Sequence, residues 1–188
     1  YTVPVPKGSC SSLSKSLSVD DFRGISITPV LSKTFEHCIL NRYMYFFNTS
    51  DNQFGFKRGS SCSYAIYTVR CVVDHYIKGG STVSLAALDL SKAFDKMNLH
   101  GLYLALMDKM LPNNLLTVLE YWFNNCQTCV RWGKEFSTFY KLKCGVRQGG
   151  VLSPYLFAVF IDIIVDTVRK SRLGCYLRSI CVSVILYA

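Results

Sequence analysis

Apolar positions recur at helical spacing over much of the chain. Leu31, Phe35, Cys38 and Ile39 follow Thr28-Pro29, a pair that suits an N-cap with proline at the first helical position. The polar stretch 48–52 closes that helix. Ser60 or Ser61 caps a second helix, whose apolar face is Ala65, Ile66, Val69, Val72, Val73, Tyr76 and Ile77 and which Gly79-Gly80 stops. Residues 82–90 are nearly all apolar and end in one carboxylate, Asp89, which predicts a strand covered on both faces. Residues 98–110 and 113–125 predict helices on either side of Pro112, the second with Leu116, Leu119 and Phe123 on one side. Residues 127–132 and 135–142 predict a hairpin around Gly133-Lys134. A glycine-containing turn at 144–150 leads to Ser153-Pro154, which opens a helix to about Lys170 with Asp162, Asp166 and Lys170 as its polar stripe. Residues 181–187 predict a last strand, and the serine-rich stretch 9–18 a mobile loop. Strands and helices mix without strict alternation, so the expected class is α+β.

Composition adds that the interior is well supplied. Half of the 188 residues are apolar, which argues against disorder and suits one domain or two small lobes. The formal net charge of +9 favours a polyanionic partner, a property shared by nucleic-acid-binding and membrane-surface proteins. No charged start followed by an apolar run marks a secretory signal, and the most apolar stretch, 155–165, is too short for a membrane span and contains Asp162. Nine cysteines lie scattered, several in apolar runs (Cys38, Cys71, Cys181), and read as small buried hydrophobes in a reducing compartment. Cys126 and Cys129 have C-x-x-C spacing, but no second pair or histidine cluster supports a metal or redox reading. The absent initiator Met and the apolar last residues predict a piece of a longer reading frame.

Two constellations carry candidate chemistry. In Asp89-Leu-Ser-Lys-Ala-Phe94-Asp95, a carboxylate leaving the end of a buried strand is a rigid mount for a hard divalent cation, and the Leu90 carbonyl offers another oxygen. Capping of the following helix is the plainer reading of Asp95, three residues before Asn98; by itself the motif would leave Asp89 a cap as well. In Gly145-Val-Arg147-Gln148-Gly149-Gly150-Val-Leu-Ser153-Pro154, adjacent glycines admit a close backbone or a planar base, and Gln148 offers both donor and acceptor. An ordinary loop-to-helix turn is the alternative.

Taken in order, these segments resemble the reverse transcriptases of non-LTR, LINE-type retrotransposons, jockey-like ones in particular. Asp89-Leu-Ser-Lys-Ala-Phe94-Asp95 is similar to the family's first palm motif, and the Gly145–Pro154 segment to its template- and nucleotide-contacting motif. Tyr187-Ala188 resembles the first half of a Y-A-D-D turn. Val3-Pro-Val-Pro-Lys7 and Asp21-Phe-Arg23-Gly-Ile-Ser resemble two fingers motifs, and Gln53-Phe-Gly-Phe-Lys-Arg-Gly59 another family segment. Gly24 after Arg23, where proline is commoner, and Ile163 after Asp162, where a second Asp is frequent, depart from the pattern.

The resemblance implies a right-hand polymerase fragment with an antiparallel palm sheet packed on helices and no thumb. Residues 1–80 would be part of the fingers, 81–112 palm with the first catalytic motif, 113–152 the fingers hairpin and glycine turn, and 153–188 truncated palm. It implies an RNA-directed DNA polymerase that copies retrotransposon RNA by two-metal nucleotidyl transfer, with two Mg2+ ions (Mn2+ as substitute), an RNA template, a DNA primer and deoxynucleoside triphosphates as partners. Its place would be intracellular, in cytoplasm and nucleus. Asp89 would be catalytic and bind metal together with the Leu90 carbonyl. Lys7, Arg23, Phe94, Gln148 and Gly149 would bind the nucleotide, with Phe94 as steric gate; Arg147 and Gly150 would contact template and primer. The family uses three palm aspartates and this chain holds one, so two are expected after Ala188 and the 188-residue chain alone is expected to be inactive. The rivals are a group II intron maturase-type enzyme, a decayed or domesticated nucleic-acid-binding remnant, and a basic interaction domain.

Overall fold

The computed structural model describes residues 1–7 and 17–187. Most of the serine-rich stretch, and Ala188 of the Y-A-D-D resemblance, lie outside the described residues.

The chain is a mixed α+β arrangement of six α-helices and four two-stranded antiparallel ladders among the described residues. Strands β1 (Thr2–Pro6) and β2 (Phe22–Ser26) pair in the register Pro4↔Gly24 and Val5↔Arg23. Pro4 and Pro6 donate no ladder hydrogen bond, and β1 bears them with β2 on one side and, on the other, a single bridge from Thr2 to Val130. The hairpin forms as expected: β3 (Gln127–Thr128) pairs with β6 (Tyr140–Lys141), and β4 (Arg131–Trp132) with β5 (Glu135–Phe136). Between them Arg131 lies over the rings of Tyr1 and Phe136.

Helices α1 (Val30–Tyr43), α2 (Cys62–Lys78), α4 (Leu99–Asp108), α5 (Asn113–Asn124) and α6 (Ser153–Ser171) fall where the periodicity places them; α3 (Ala93–Lys96) is a single turn. Ser61 caps α2 by accepting from the Tyr64 amide, and Asn98 caps α4 by accepting from His100 and Gly101. Asn98 thus holds the capping role expected of Asp95, which lies inside α3. The core runs along α4 and α6, where Leu102, Leu106, Leu156, Val159 and Val165 are essentially inaccessible, and continues through Leu115 and Leu119 of α5 and Ile39 and Leu40 of α1.

Several expectations need correction. Residues 82–90 form neither helix nor strand and join no ladder among the described residues, and Leu88 is 93 % exposed. Nor do residues 181–187 form one strand. Ile180–Cys181 (β8) pairs with Tyr176–Leu177 (β7), and Leu186 makes an isolated bridge to Gln53. The last residues are tied to a different part of the chain. Leu186 exchanges hydrogen bonds with Asn52 and Phe54, and the Asn52 side chain donates to the Cys181 and Val184 carbonyls. The apolar run before Asp89 does not pair with that segment: Val83, Leu85 and Ala86 face Val182 and Ile185 across a cavity of about 160 Å³. On α2, Ala65 and Val72 are buried but Ile66 and Ile77 are exposed. Asp162 is buried and not part of a polar stripe: its carboxylate accepts from the Ser50 amide (2.9 Å) and hydroxyl (2.6 Å), with Lys109 Nζ at 3.6 Å. Cys126, Cys129 and Cys181 are buried, whereas Cys38 and Cys71 are exposed.

Candidate functional site

A cavity of about 910 Å³ opens where β2, the segment before α3 and the glycine turn converge. Lys7, Arg23, Asp89, Leu90, Phe94, Arg147, Gln148 and Gly149 all line it, drawn from four separated stretches of chain. Gly150 does not; a side chain there would meet the Ser153 hydroxyl at 2.5 Å, so it faces the start of α6. Five cations (Lys7, Arg23, Lys92, Lys96, Arg147) line the cavity against three carboxylates (Asp20, Asp89, Asp95), a balance that suits a polyanion.

Local bonds hold the walls together. The Ser26 amide at the end of β2 donates to the Gln148 carbonyl at 2.7 Å. The Gly145 and Val146 amides donate to the Met97 and Phe94 carbonyls at 2.9 and 2.8 Å, which ties the glycine turn to α3. Phe94 stacks on Phe157 with centroids 4.8 Å apart and meets Phe56 edge-on, so its ring is braced by the core while it borders the cavity. Lys92, held in the left-handed region, bonds to the Asp20 carboxylate at 2.5 Å. That hydrogen bond holds Asp20 below the usual carboxylate range and pushes the Lys92 ammonium up. Lys7 Nζ donates to the Asp20 carbonyl at 2.9 Å. Asp89 is exposed and makes no hydrogen bond or ion pair with the described residues. Arg147 donates to the Cys126 sulfur; burial pushes that thiol up, against the pull of the guanidinium.

Two divalent ions about 4 Å apart need several carboxylate oxygens in one place. No group of three or more His, Cys, Asp and Glu side chains comes together among the described residues. The Asp89 carboxylate and Leu90 carbonyl suit part of one ion's oxygen shell, but the residues present do not fit a two-ion centre.

The expected caps of α1 and α6 also differ. Pro29, not Thr28, precedes α1, and the buried Thr28 hydroxyl has no hydrogen-bond partner among the described residues. Ser153 is already inside α6. The amides leading into that helix are served from α1 instead: one Glu36 oxygen accepts from Val151 (2.6 Å) and Leu152 (2.9 Å). The buried Glu36 thereby places a negative charge at the electropositive start of α6 and fixes the turn that carries Gln148 and Gly149. On α1 Glu36, Ile39 and Leu40 are buried, while Leu31, expected on the buried face, is exposed. Glu36→Ala leaves two amides unserved and is expected to cost about 2–4 kcal/mol, read from denaturant unfolding; a loss below about 0.5 kcal/mol, the range of an ordinary surface substitution, removes Glu36 from this role.

Sequence reasoning missed Glu36, Asp20, Lys92 and Phe56. A lone Glu in an amphipathic helix carries no mark of a tertiary cap, and Asp20 and Lys92 are 72 positions apart.

A family model described as "Reverse transcriptase (RNA-dependent DNA polymerase)" matches residues 5–188. The chain is 29 % identical over 171 residues to the probable RNA-directed DNA polymerase from transposon X-element of Drosophila melanogaster, covering 86 % of the chain and 19 % of that protein. It is 28 % identical over 147 residues to the probable RNA-directed DNA polymerase from transposon BS of the same organism (76 % and 16 %). With the RNA-directed DNA polymerase from mobile element jockey of Drosophila funebris it shares 26 % identity over 152 residues (77 % and 16 %). The chain thus spans less than a fifth of the length of these relatives.

Proposed function

Because the chain belongs to the reverse transcriptase (RNA-dependent DNA polymerase) family, with distant homology to the enzymes of non-LTR retrotransposons, we propose that its cationic cleft receives a deoxynucleoside triphosphate opposite an RNA template and beside a DNA primer. One observation carries this reading: eight residues of the family-like motifs line a single cavity. Lys7 and Arg23 offset the triphosphate charge, the guanidinium by paired hydrogen bonds to phosphate oxygens. Gln148 and Gly149 shape the pocket for base and template, Arg147 and the neighbouring Gly150 turn guide the strand, and the ring of Phe94 stands where a 2′-hydroxyl would clash. Asp89 and the Leu90 carbonyl present oxygens toward the reacting phosphate. Asp89 and the Leu90 carbonyl would hold part of the oxygen shell of one divalent ion, which would supply charge neutralisation at the phosphate.

In this reading residues 1–80 and 113–152 are fingers, and 81–112 and 153–188 are palm. The eight cysteines of the described residues are free thiols, which suits a place in the cytoplasm and nucleus, to be checked by cell fractionation. Among the described residues no helix is long and apolar enough to cross a membrane.

Primer extension tests the reading. A polypeptide carrying this sequence within a longer frame, with the remaining palm aspartates and thumb, is expected to extend a DNA primer on RNA with Mg2+; the 188-residue chain alone is not. In the longer polypeptide Phe94→Ala is expected to raise ribonucleotide incorporation roughly tenfold or more. No extension by the longer polypeptide would leave a nucleic-acid-binding remnant, and unchanged sugar discrimination would return Phe94 to the core.

A further inference from the structure

None of the roles assigned in the cleft falls on the segment Gln53-Phe-Gly-Phe56-Lys-Arg-Gly59, yet Phe56 lines the cleft and its backbone is strained. Among the described residues, five that are not glycine have positive φ. Arg172 ends α6, Met110 follows the end of α4 and Arg178 turns β7 into β8, all places where a left-handed residue closes an element. The other two, Phe56 (φ 50°) and Lys92 (φ 55°), both line the cleft. A bulky aromatic residue stays in that region only where its surroundings over-determine it. Before Phe56, the Gly55 amide donates to Gln53 Oε1 and the Phe54 amide to the Leu186 carbonyl, each at 2.9 Å. After it, Lys57 Nζ donates to the Ser50 carbonyl and the Asp51 carboxylate, each at 3.1 Å. Burial does not account for the strain, since the Phe56 residue is 46 % exposed. What the ring meets is Phe94, edge-on, with centroids 6.1 Å apart and planes at 86°, while Phe157 stacks on Phe94 with planes at 24°.

We propose that Phe56 is a positioning residue for sugar selection: its ring backs Phe94 and fixes how far the Phe94 ring stands toward the 2′ position of an incoming nucleotide. A ring stacked on one face can still pivot about its side-chain bonds. Phe157 constrains one face of Phe94, and Phe56, set nearly at a right angle, removes the freedom that stacking leaves. Edge-to-face pairing is an arrangement that aromatic quadrupoles favour, so the contact prefers one geometry over a range of others. That matters for a gate. A ribose differs from a deoxyribose by a single hydroxyl, and a group displaced by about 1 Å can lose most of its effect. The left-handed backbone aims the ring of Phe56 at Phe94, and the bonds on either side hold it there. The inference rests on the reading of Phe94 as steric gate and adds the residue that sets its position.

The test measures kcat/KM for a matched deoxynucleotide and its ribonucleotide, added to a DNA primer on RNA by the longer polypeptide. Phe56→Gly removes the ring and relieves the strain. It is expected to narrow the deoxy-over-ribo preference roughly two- to tenfold, the worth of one aromatic pair, through a rise in ribonucleotide kcat/KM. Its melting temperature should be no lower than the parent's. Phe56→Asn, a second residue that tolerates the left-handed region, should narrow the preference alike and serves where the glycine variant folds poorly. Phe56→Tyr keeps the ring and should keep the preference. In a Phe94→Ala background Phe56→Gly should add nothing, because the ring it positions is gone. Three results overturn the inference and leave the gate intact: a preference that Phe94→Ala relaxes but Phe56→Gly and Phe56→Asn do not, an equal loss for both sugars, or an effect that persists without the Phe94 ring. A preference untouched by Phe94→Ala removes the gate and the inference with it, and absence of any extension removes the cleft reading as well.

Discussion

Asp89→Asn is expected to lower RNA-templated primer extension at least about 10³-fold, about 4 kcal/mol of lost transition-state stabilisation, in a polypeptide that carries this sequence with the remaining palm and thumb. The substitution keeps the shape of the side chain and removes its charge. Asp89 is exposed and serves no hydrogen bond or ion pair among the described residues, so the fold has little to lose. A large drop in rate with an unchanged unfolding transition would therefore assign Asp89 to the chemistry. Asp20→Asn is the informative contrast, because Asp20 lines the same cavity but is engaged by Lys92. It should reduce the rate far less, through disturbance of the wall. Near-normal extension by the Asp89 variant, or equal losses for both, refutes the assignment.

The legibility of this chain divides by the range of the interactions involved. Helices were readable because their signals are local: Ser61 and Asn98 cap the elements they precede, and α4 buries Leu102, Ala105 and Leu106 at the spacing that the pattern requires. The hairpin was readable because Gly133 sits at positive φ between its strands. The runs at 82–90 and 181–187 misled because an apolar run states that a segment can be covered, not which backbone will pair with it. Leu186 and the Cys181 carbonyl of the second run are bonded instead to Asn52 and Phe54, more than 120 positions away. The orientation of α1 was lost for a related reason: a buried carboxylate breaks the apolar stripe, and only the start of α6 explains why Glu36 faces inward. The cleft itself was legible through ordered motifs, because residues 7, 23, 89–94 and 147–149 each belong to a short local signature. What no signature carried was the bracing between them, supplied by Lys92 on Asp20 and by Phe56 and Phe157 around Phe94.

That bracing predicts where the cleft is most fragile. Gly145 adopts φ +78°, and a Cβ built on it falls 2.5 Å from the Phe94 carbonyl oxygen and 2.6 Å from that of Asp95. Both are backbone atoms of α3, the turn that follows Asp89, so neither can swing aside as a side chain would. Gly145→Ala must part the glycine turn from α3, which breaks the bonds from Gly145 to Met97 and from Val146 to Phe94 and adds the strain of a left-handed alanine. The expected cost is about 3–5 kcal/mol, a large share of the stability of an ordinary domain, with a melting temperature lower by about 6–20 °C. Gly133→Ala is the control: Gly133 also has positive φ, +61°, but nothing lies within 4 Å of its added Cβ. That variant suffers the strain alone and should cost about 1–2 kcal/mol. The difference between the two measures the close approach of the turn to α3. If the two variants melt together, the turn is not clamped to α3, and the geometry that holds Gln148 opposite Asp89 has to come from elsewhere.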